Sequence, residues 1–222
     1  MKEIVLDTET TGLSVKDGHR IVEIGCIELE NFMLTNNKFH YYLNPERKVS
    51  EKALEVHGYT DEFLSDKKKF SEIADEFLDF IKDKKIIIHN AEFDISHLNN
   101  ELQIAGKNKI DNKNTIDTLE IARDKFPGSG VSLDALCKRY RIDNSKREKH
   151  TALIDCELLS KIYINLLDQK EPTLDFNTIN KEINNFDEKG EIDYFRKVII
   201  PTSEEIEKHK KYLKHSLKKN NF

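Results

Sequence analysis

Alternating apolar and polar positions in the first 43 residues predict β-strands. The runs at 2–6, 20–30 and 38–43 have this period of two, and turns are predicted between them at GLSVKDGH and near LTNN. Three consecutive strands joined by turns predict an antiparallel meander. Two later apolar runs, KKIII at 84–88 and NTID at 114–117, predict further short strands.

Helical periodicity takes over from residue 70. In FSEIADEFLDFI, residues 70–81, apolar positions recur every three or four residues, which predicts one buried face. Further helices are predicted at 93–102, 118–125, 132–140 and 151–167. A meander followed by strands that alternate with helices predicts an α/β domain, in which a mixed sheet, antiparallel and then parallel, is flanked by helices.

The chain changes character after the last of these helices. Residues 168–200 are polar and have no sustained period, which predicts a flexible linker. Residues 201–222 begin with Thr202 and Glu205 in capping-box spacing and continue with a narrow apolar stripe among lysines. So thin a stripe predicts a helix that is marginal alone and needs a partner. The predicted organisation is therefore a domain at 1–167, the linker and a C-terminal helix.

Composition narrows the possible functions. A net charge of -5 and a pI near 5.9 argue against a surface that binds polyanions everywhere, so a polyanionic partner has to be met locally or through metal ions. Three widely spaced cysteines, Cys26, Cys137 and Cys156, predict reduced thiols. The chain shows no leader, and its most apolar run is too short to cross a bilayer, which predicts a cytoplasmic protein without membrane contact.

The stretch VLDTETTGL, residues 5–13, places two carboxylates close together. Side chains alternate along a strand, so Asp7 and Glu9 face one side while Leu6 and Thr8 face the other. Neighbouring carboxylates repel each other, and a buried pair needs a proton, a cation or a metal ion. The alternative is an edge strand with a solvated face, which carries more weight while the pair stands alone.

Two later segments supply partners. Asp94 follows the strand at 84–88 in the first turn of a helix, at the edge where α/β proteins bind ligands, although helix-dipole stabilisation alone would explain an acid there. In KHTALIDCELL, His150 and Asp155 are about 140° apart on an ideal helix. His150 is therefore predicted on the preceding loop and Asp155 one turn inside the helix. The alternatives are a solvated histidine and a polar helix residue.

Four acids from three segments and one histidine can thus share a crevice. Carboxylate oxygens suit Mg²⁺ or Mn²⁺, and two such ions stabilise both the attacking and the leaving oxygen of a phosphoryl displacement. Because an imidazole ordinarily titrates near neutrality, His150 can take the proton from an attacking water. The constellation predicts a phosphodiester hydrolase. A calcium-binding loop is disfavoured because the acids are dispersed.

Three motifs resemble the DEDD superfamily of 3′→5′ exonucleases, in the branch with a histidine in its last motif: LDTETTGL at 6–13, HNAEFDISHLNNEL at 89–102 and HTALIDCELL at 150–159. The resemblance implies a ribonuclease-H-like exonuclease fold and two divalent metal ions, Mg²⁺ or Mn²⁺. It implies metal ligation by Asp7, Glu9, Asp94 and Asp155, with His150 as general base. It also implies substrate contacts by Thr10, Gly12, Leu13, His57 and Phe93. A structural, hydrogen-bonded role is the alternative for His57, and a core position is the alternative for Phe93.

Longer stretches resemble one family within this superfamily, the proofreading epsilon-type subunits of bacterial DNA polymerase III. They include GHRIVEIGCIEL, VHGYTDEFL and SLDALCKRYRIDNSKR, and the similarity covers residues 1–167. The resemblance implies hydrolysis of the 3′-terminal phosphodiester of single-stranded or frayed DNA, with release of 5′-mononucleotides. The segment VIIPTSEEIEKHKKYLKH resembles the tail that binds the catalytic (alpha) subunit. A small theta-type subunit is a further implied partner.

Three points stay open at this stage. A sliding-clamp motif would need Gln at the start of EPTLDF, residues 171–176, where the chain has Glu171. A free-standing exonuclease of the same superfamily that processes RNA or DNA 3′ ends is the alternative function, and the tail separates the two hypotheses. A non-catalytic scaffold is disfavoured because all four acids and the histidine are present.

Overall fold

A five-stranded mixed sheet forms the centre of the protein in a computed structural model that describes residues 2–147, 149–168 and 201–216. The strands are β1 (Lys2–Thr10), β2 (Ile21–Glu30), β3 (Met33–Tyr42), β4 (Lys85–Ile88) and β5 (Thr115–Asp117). They lie in the order β3-β2-β1-β4-β5. The first three strands are antiparallel neighbours, whereas β4 and β5 run parallel to β1. The predicted mixed sheet is confirmed.

Helices lie on both faces of this sheet. They are α1 (Glu51–His57), α2 (Asp61–Ser65), α3 (Phe70–Ile81), α4 (Ala91–Ile104), α5 (Thr118–Lys125), α6 (Leu133–Tyr140) and α7 (Ala152–Leu166). On one face, Leu6 of β1 belongs to the same core cluster as Phe77 of α3 and Leu98 of α4. On the other face, Val5 clusters with Cys156 of α7. Side chains alternate along a strand, so Leu6 and Val5 point to opposite faces, and helices cover β1 on both of them.

The β2–β3 hairpin turns earlier than predicted. Asn31 and Phe32 connect the two strands, with φ angles of 50° and 62°, as in the two-residue turns whose twist matches paired strands. β3 therefore begins at Met33 and includes the LTNN stretch. The turn was predicted near LTNN because the composition of this stretch is typical of turns. That placement was wrong, since these residues lie on an edge strand and are mostly exposed.

Two short helices escaped prediction. α1 follows Ser50, whose side chain accepts a hydrogen bond from the Ala53 N–H at 3.3 Å. α2 follows Thr60, whose side chain accepts from the Phe63 N–H at 3.2 Å. Each helix is one or two turns long, so periodicity had too few positions to act on. The capping residues were the usable signal.

The chain divides into two compact units, Met1–Thr173 and Leu174–Phe222. In the second unit, α8 (Ser203–Ser216) begins with the predicted capping box: the Thr202 N–H donates to Glu205 Oε2 at 2.8 Å, and the Glu205 N–H donates to Thr202 Oγ1 at 3.4 Å. Residues 169–200, which include most of the predicted linker and EPTLDF, lie outside the described residues. None of the described helices combines the length and hydropathy needed to span a bilayer.

Candidate active site

Asp7 and Glu9 lie near the end of β1, on the face covered by α7. Val5, two residues before Asp7, packs in the cluster that includes Cys156 of α7, and strand alternation puts all three β1 side chains on that side. Both acids line a cleft of about 350 Å³. Glu9 is 8% exposed, so its carboxylate is largely removed from water.

A glycine lets α7 approach this face of the sheet. Gly25 of β2 pairs with Asp7, and a Cβ atom on Gly25 would lie 2.8 Å from the backbone carbon of Ala152, at the start of α7. Glu23, which pairs with Glu9, accepts a hydrogen bond from the Ala152 N–H at 2.9 Å. Strand β2 therefore seats the N-terminus of α7 beside the two carboxylates of β1.

Asp94 reaches the same cleft from α4. Thr8 holds this carboxylate from β1, because its backbone N–H and its Oγ1 both donate to Asp94 Oδ1, at 3.1 and 2.7 Å. Asp94 is 3% exposed and lines the cleft. One of its oxygens is thus fixed by the strand that carries the other two acids.

Asp117, at the end of β5, stabilises the corner that precedes Asp94. It caps α5 by accepting the Leu119 N–H at 2.8 Å. It also accepts the N–H groups of Asn90 and Ala91, each at 3.0 Å. Asn90 has a φ of 72°, so these bonds support a left-handed turn between β4 and α4. This acid acts on the backbone that positions Asp94.

His150 and Asp155 occupy the positions that their spacing predicts. Helix α7 begins at Ala152, so His150 lies on the preceding loop and Asp155 lies in the first turn. The His150 N–H donates to the Val56 carbonyl at 3.3 Å, which ties this loop to α1. His150 Nδ1 is 3.5 Å from Asp155 Oδ2, and the histidine side chain is 45% exposed while that of the aspartate is 5% exposed.

The donor set fits a hard divalent cation. One ligand atom each of Glu9, His150 and Asp155 lies within 4.8 Å of the others, and Asp7 and Asp94 line the same cleft. Carboxylate oxygens are the ligands that Mg²⁺ and Mn²⁺ prefer, and a cation relieves the repulsion between clustered acids. All five residues predicted for catalysis and metal binding therefore meet in one cleft.

Burial raises the pKa of three of these acids, and the charges of nearby carboxylates add to it. Burial is the larger cause for Asp7, whose pKa lies well above its usual range, and the charges of Asp94 and Glu9 add to it. Burial also raises the pKa of Glu9 to about 8 and that of Asp94 to about 7. For Asp155, burial acts in the same direction, but the neighbouring His150 and Arg147 outweigh it and lower the pKa.

We expect the metal-free protein to lose stability as the pH rises. An unfolded chain releases the Glu9 proton near 4.5, whereas the folded protein keeps it up to about 8. The folded state therefore binds more protons between these values, so the free energy of unfolding falls as the pH increases. Thermal unfolding in EDTA from about pH 6.5 to about pH 8 measures this decline, because below 6.5 a histidine with a lowered pKa, such as His57, acts in the opposite direction.

Two variants separate this effect from general charge effects. Glu9→Gln should flatten the decline, because the group that holds the proton is gone. Glu62→Gln, at an exposed position of α2, should keep the wild-type slope. A wild-type Tm in EDTA that increases over the same pH range would contradict the expectation.

A second, more apolar cavity of about 470 Å³ shares Thr8, Glu9 and Phe93 with the acidic cleft. Its walls include the other residues predicted for substrate binding: Thr10, Gly12, Leu13 and His57. Leu13 is 82% exposed, so an apolar side chain is available to an incoming ligand. The predicted substrate residues therefore surround one cavity next to the acids.

His57 is held by backbone groups although its ring lines this cavity. It is 3% exposed. Its Nδ1 accepts the Tyr59 N–H at 3.0 Å, so Nε2 carries the proton and donates to the Thr10 carbonyl at 3.3 Å. Burial is the largest cause that acts on its pKa, which is lowered. These contacts favour the structural alternative, in which His57 supports Thr10.

Three further residues of this site were missed in the sequence. Arg147 lines the cleft and contacts both Asp155 and His150. The available signal was its position three residues before His150. It was missed because the KREK run that contains it is typical of a solvated loop. Thr8 and Glu23 were missed because each bonds a helix that is distant in sequence, which no local pattern indicates.

Comparisons with known proteins identify the family. The exonuclease family model (RNase_T) matches residues 4–163. DNA polymerase III subunit epsilon of Rickettsia conorii is 48% identical, with 98% of this chain and 97% of that protein covered. The chain belongs to the family of DNA polymerase III epsilon subunits. The epsilon subunit of Escherichia coli K12 is 49% identical over 73% of this chain and 70% of its own length. Membership implies an exonuclease that uses divalent metal ions.

Solved structures share the fold at low sequence identity. The nuclease domain of 3'hExo, a DEDDh family member bound to rAMP, has a TM-score of 0.66 and 18% identity, covering 76% of this chain and 92% of that chain. Exonuclease X in complex with 5' overhanging duplex DNA has a TM-score of 0.60 and 23% identity, covering 75% and 92%. The predicted ribonuclease-H-like exonuclease fold is confirmed.

Proposed function

We propose that this epsilon-family protein is the 3′→5′ proofreading exonuclease of a replicative DNA polymerase. It hydrolyses the 3′-terminal phosphodiester of single-stranded or frayed DNA and releases 5′-mononucleotides. One observation carries the proposal: four acids and His150, from three separate segments, line one cleft that adjoins an apolar cavity. Family membership supports it, because the relatives of this chain are named polymerase III epsilon subunits.

The cleft residues divide the chemistry between them. Asp7, Glu9, Asp94 and Asp155 hold two divalent ions, Mg²⁺ or Mn²⁺. When bound, such ions stabilise the charge on the attacking and leaving oxygens. His150 takes the proton from the attacking water, a role supported by its 45% exposed side chain at the edge of the acidic cluster. Thr8 keeps Asp94 in one orientation through its two hydrogen bonds.

The apolar cavity receives the terminal nucleotide. Phe93 lines both the cleft and the cavity, so its ring offers a stacking surface next to the reacting phosphate. Thr10, Gly12 and Leu13 complete the nucleotide site, and His57, which also lines the cavity, supports Thr10 through its hydrogen bond to the Thr10 carbonyl. A mispaired terminus unpairs at lower cost than a paired one. More of it therefore reaches a site that accepts single strands, which yields a preference for mismatches without base reading.

The C-terminal segment 201–222 binds the catalytic (alpha) subunit of the polymerase, and a theta-type subunit is a second partner. Ile206 and Tyr212 of α8 are 42% and 61% exposed, which supports a helix that docks on another protein. The protein works in the cytoplasm. Glu171 stands where a clamp-binding motif needs Gln, which disfavours clamp binding through residues 171–176.

Digestion of a 5′-labelled DNA oligonucleotide tests the proposal. The strand is offered paired or with a terminal mismatch, in Mg²⁺, Mn²⁺ or EDTA, beside an RNA of the same sequence. We expect metal-dependent shortening from the 3′ end that is faster at the mismatch and weak on RNA. A preference for RNA would support an end-processing exonuclease instead, and no cleavage with either metal would leave the scaffold hypothesis.

A further inference from the structure

Arg147 covers a carboxylate that the proposed function assigns to a metal ion. Its Nε donates to Asp155 Oδ1 at 2.6 Å, and its Nη2 donates to Asp155 Oδ2 at 2.7 Å. The two side chains are 6% and 5% exposed. Both oxygens of Asp155 are therefore engaged in a buried, two-pronged ion pair, the strongest geometry available to an arginine and a carboxylate.

The same guanidinium makes two further contacts. Nη2 lies 2.8 Å from His150 Nδ1, and because an arginine only donates, the imidazole nitrogen accepts. Nη1 donates to Asp134 Oδ1 at 2.8 Å, and the Asp134 side chain is 58% exposed on α6. Arg147 thus joins a proposed ligand, the proposed general base and a surface acid.

Among the described residues that line the cleft, Arg147 is the one lysine or arginine. It faces a cluster of carboxylates, and its charge acts to lower the pKa of Glu9 as well as that of Asp155. A guanidinium and a divalent ion therefore compete for the same negative charge. They cannot both use the full carboxylate of Asp155.

We propose that Arg147 is a positioning residue that exchanges with the divalent cation at Asp155. The inference rests on the proposed function, since it takes Asp155 as a metal ligand. In the absence of the ion, the guanidinium neutralises this acid and holds the His150 loop against α7. We expect binding of the ion to break at least one of the two contacts to Asp155, because the two cations repel each other and compete for the same carboxylate oxygens.

Asp134 keeps the released guanidinium at the cleft. Its contact uses Nη1, whereas Asp155 is paired with Nε and Nη2. Arg147 can therefore turn away from Asp155 while it stays bound to Asp134. Because Arg147 Nη2 also donates a hydrogen bond to His150 Nδ1, the same movement breaks this bond and frees the imidazole nitrogen. Arrival of the cation and release of the histidine are coupled through one side chain.

Calorimetric titration with Mn²⁺, in the absence of nucleic acid and at pH 8, tests the exchange. Arg147→Gln removes the competing cation, so the affinity for Mn²⁺ should increase roughly tenfold, the scale on which residues behind metal ligands alter affinity. Arg139→Gln removes the same charge from an exposed position of α6 and should leave the affinity unchanged. A folded Arg147→Gln protein with equal or weaker affinity would overturn the proposal.

The wild-type protein offers a second test that no folding defect can obscure. In ¹H–¹⁵N spectra of arginine side chains, the Arg147 Nε–H signal is assigned by its absence from Arg147→Lys. We expect it to move on addition of Mg²⁺ toward the position of an arginine that is not paired with a carboxylate. A signal that stays in place at saturating Mg²⁺ would show that the pair persists and would reject the exchange.

These tests are independent of the digestion assay. A wild-type protein that cleaves DNA while its Arg147 signal ignores Mg²⁺ would keep the proposed function and lose the exchange. If the wild-type protein cleaves no nucleic acid but the Arg147→Gln variant binds Mn²⁺ more tightly than the wild type, the exchange is supported and the proposed function is rejected.

Discussion

Asp7→Asn is expected to abolish DNA hydrolysis, by about a thousandfold or more, and at the same time to stabilise the metal-free protein. The loss follows because a neutral amide is a poor ligand for a hard divalent ion that stabilises the reacting oxygens. The gain follows because burial and neighbouring carboxylates raise the Asp7 pKa. Near pH 8 the folded protein therefore carries an unfavourable acid that asparagine removes.

Initial rates on a 5′-labelled single strand and thermal unfolding in EDTA measure the two effects. The Tm of Asp7→Asn should exceed that of the wild type near pH 8, and the difference should shrink as the pH approaches 4. Asp79→Asn, at an exposed position of α3, serves as the matched control and should change neither quantity. Retained activity would show that Asp7 is not a metal ligand of the proposed kind, and a Tm below that of the wild type near pH 8 would contradict the predicted stabilisation.

Deletion of residues 201–222 should remove polymerase binding and keep hydrolysis of single strands within about twofold. In the part of the chain that the structure describes, the residues that line the cleft and the cavity all lie between Asp7 and Leu159, so the deletion removes none of them. Helix α8 belongs to the other compact unit. It is short and mostly polar, so it gains from docking on a partner. Co-elution with the polymerase catalytic subunit and digestion of a single strand measure the two activities.

Point variants make the deletion specific. Ile206→Ser changes an apolar residue of α8 that is 42% exposed and should weaken the complex. Lys208→Ser, two positions along the same helix and on a different face, should have little effect. Binding that survives the full deletion would assign the tail to a different partner or to none.

The acidic cleft was accessible to sequence reasoning because short-range rules determine it. Alternation along β1 puts Asp7 and Glu9 on one side. A strand followed by a helix puts Asp94 at the carboxyl end of β4, where ligands bind in such sheets. The loop placement of His150 followed from its rotation relative to Asp155. Each of these steps uses residues that are close together in the chain.

Contacts between distant segments were beyond the same reasoning. The bond from Ala152 to Glu23 joins residues 129 positions apart, and no periodicity links them. Arg147 illustrates a second limit, because a basic residue in a polar loop is usually solvated. Its burial depends on how α6 and α7 meet at the cleft. The turn between β2 and β3 was predicted too late in the chain. The LTNN stretch has a composition that is typical of turns, but in the structure it lies within an exposed edge strand.

The absence of a side chain at Gly25 has a consequence for the accuracy of genome copying. A methyl group there would meet the Ala152 backbone at 2.8 Å and would push the start of α7 outward, together with Asp155. Errors left by the polymerase would then escape removal, although Gly25 is not among the described residues that line the cleft or the cavity. A substitution at Gly25, a residue whose role is in helix packing, would therefore raise the mutation rate.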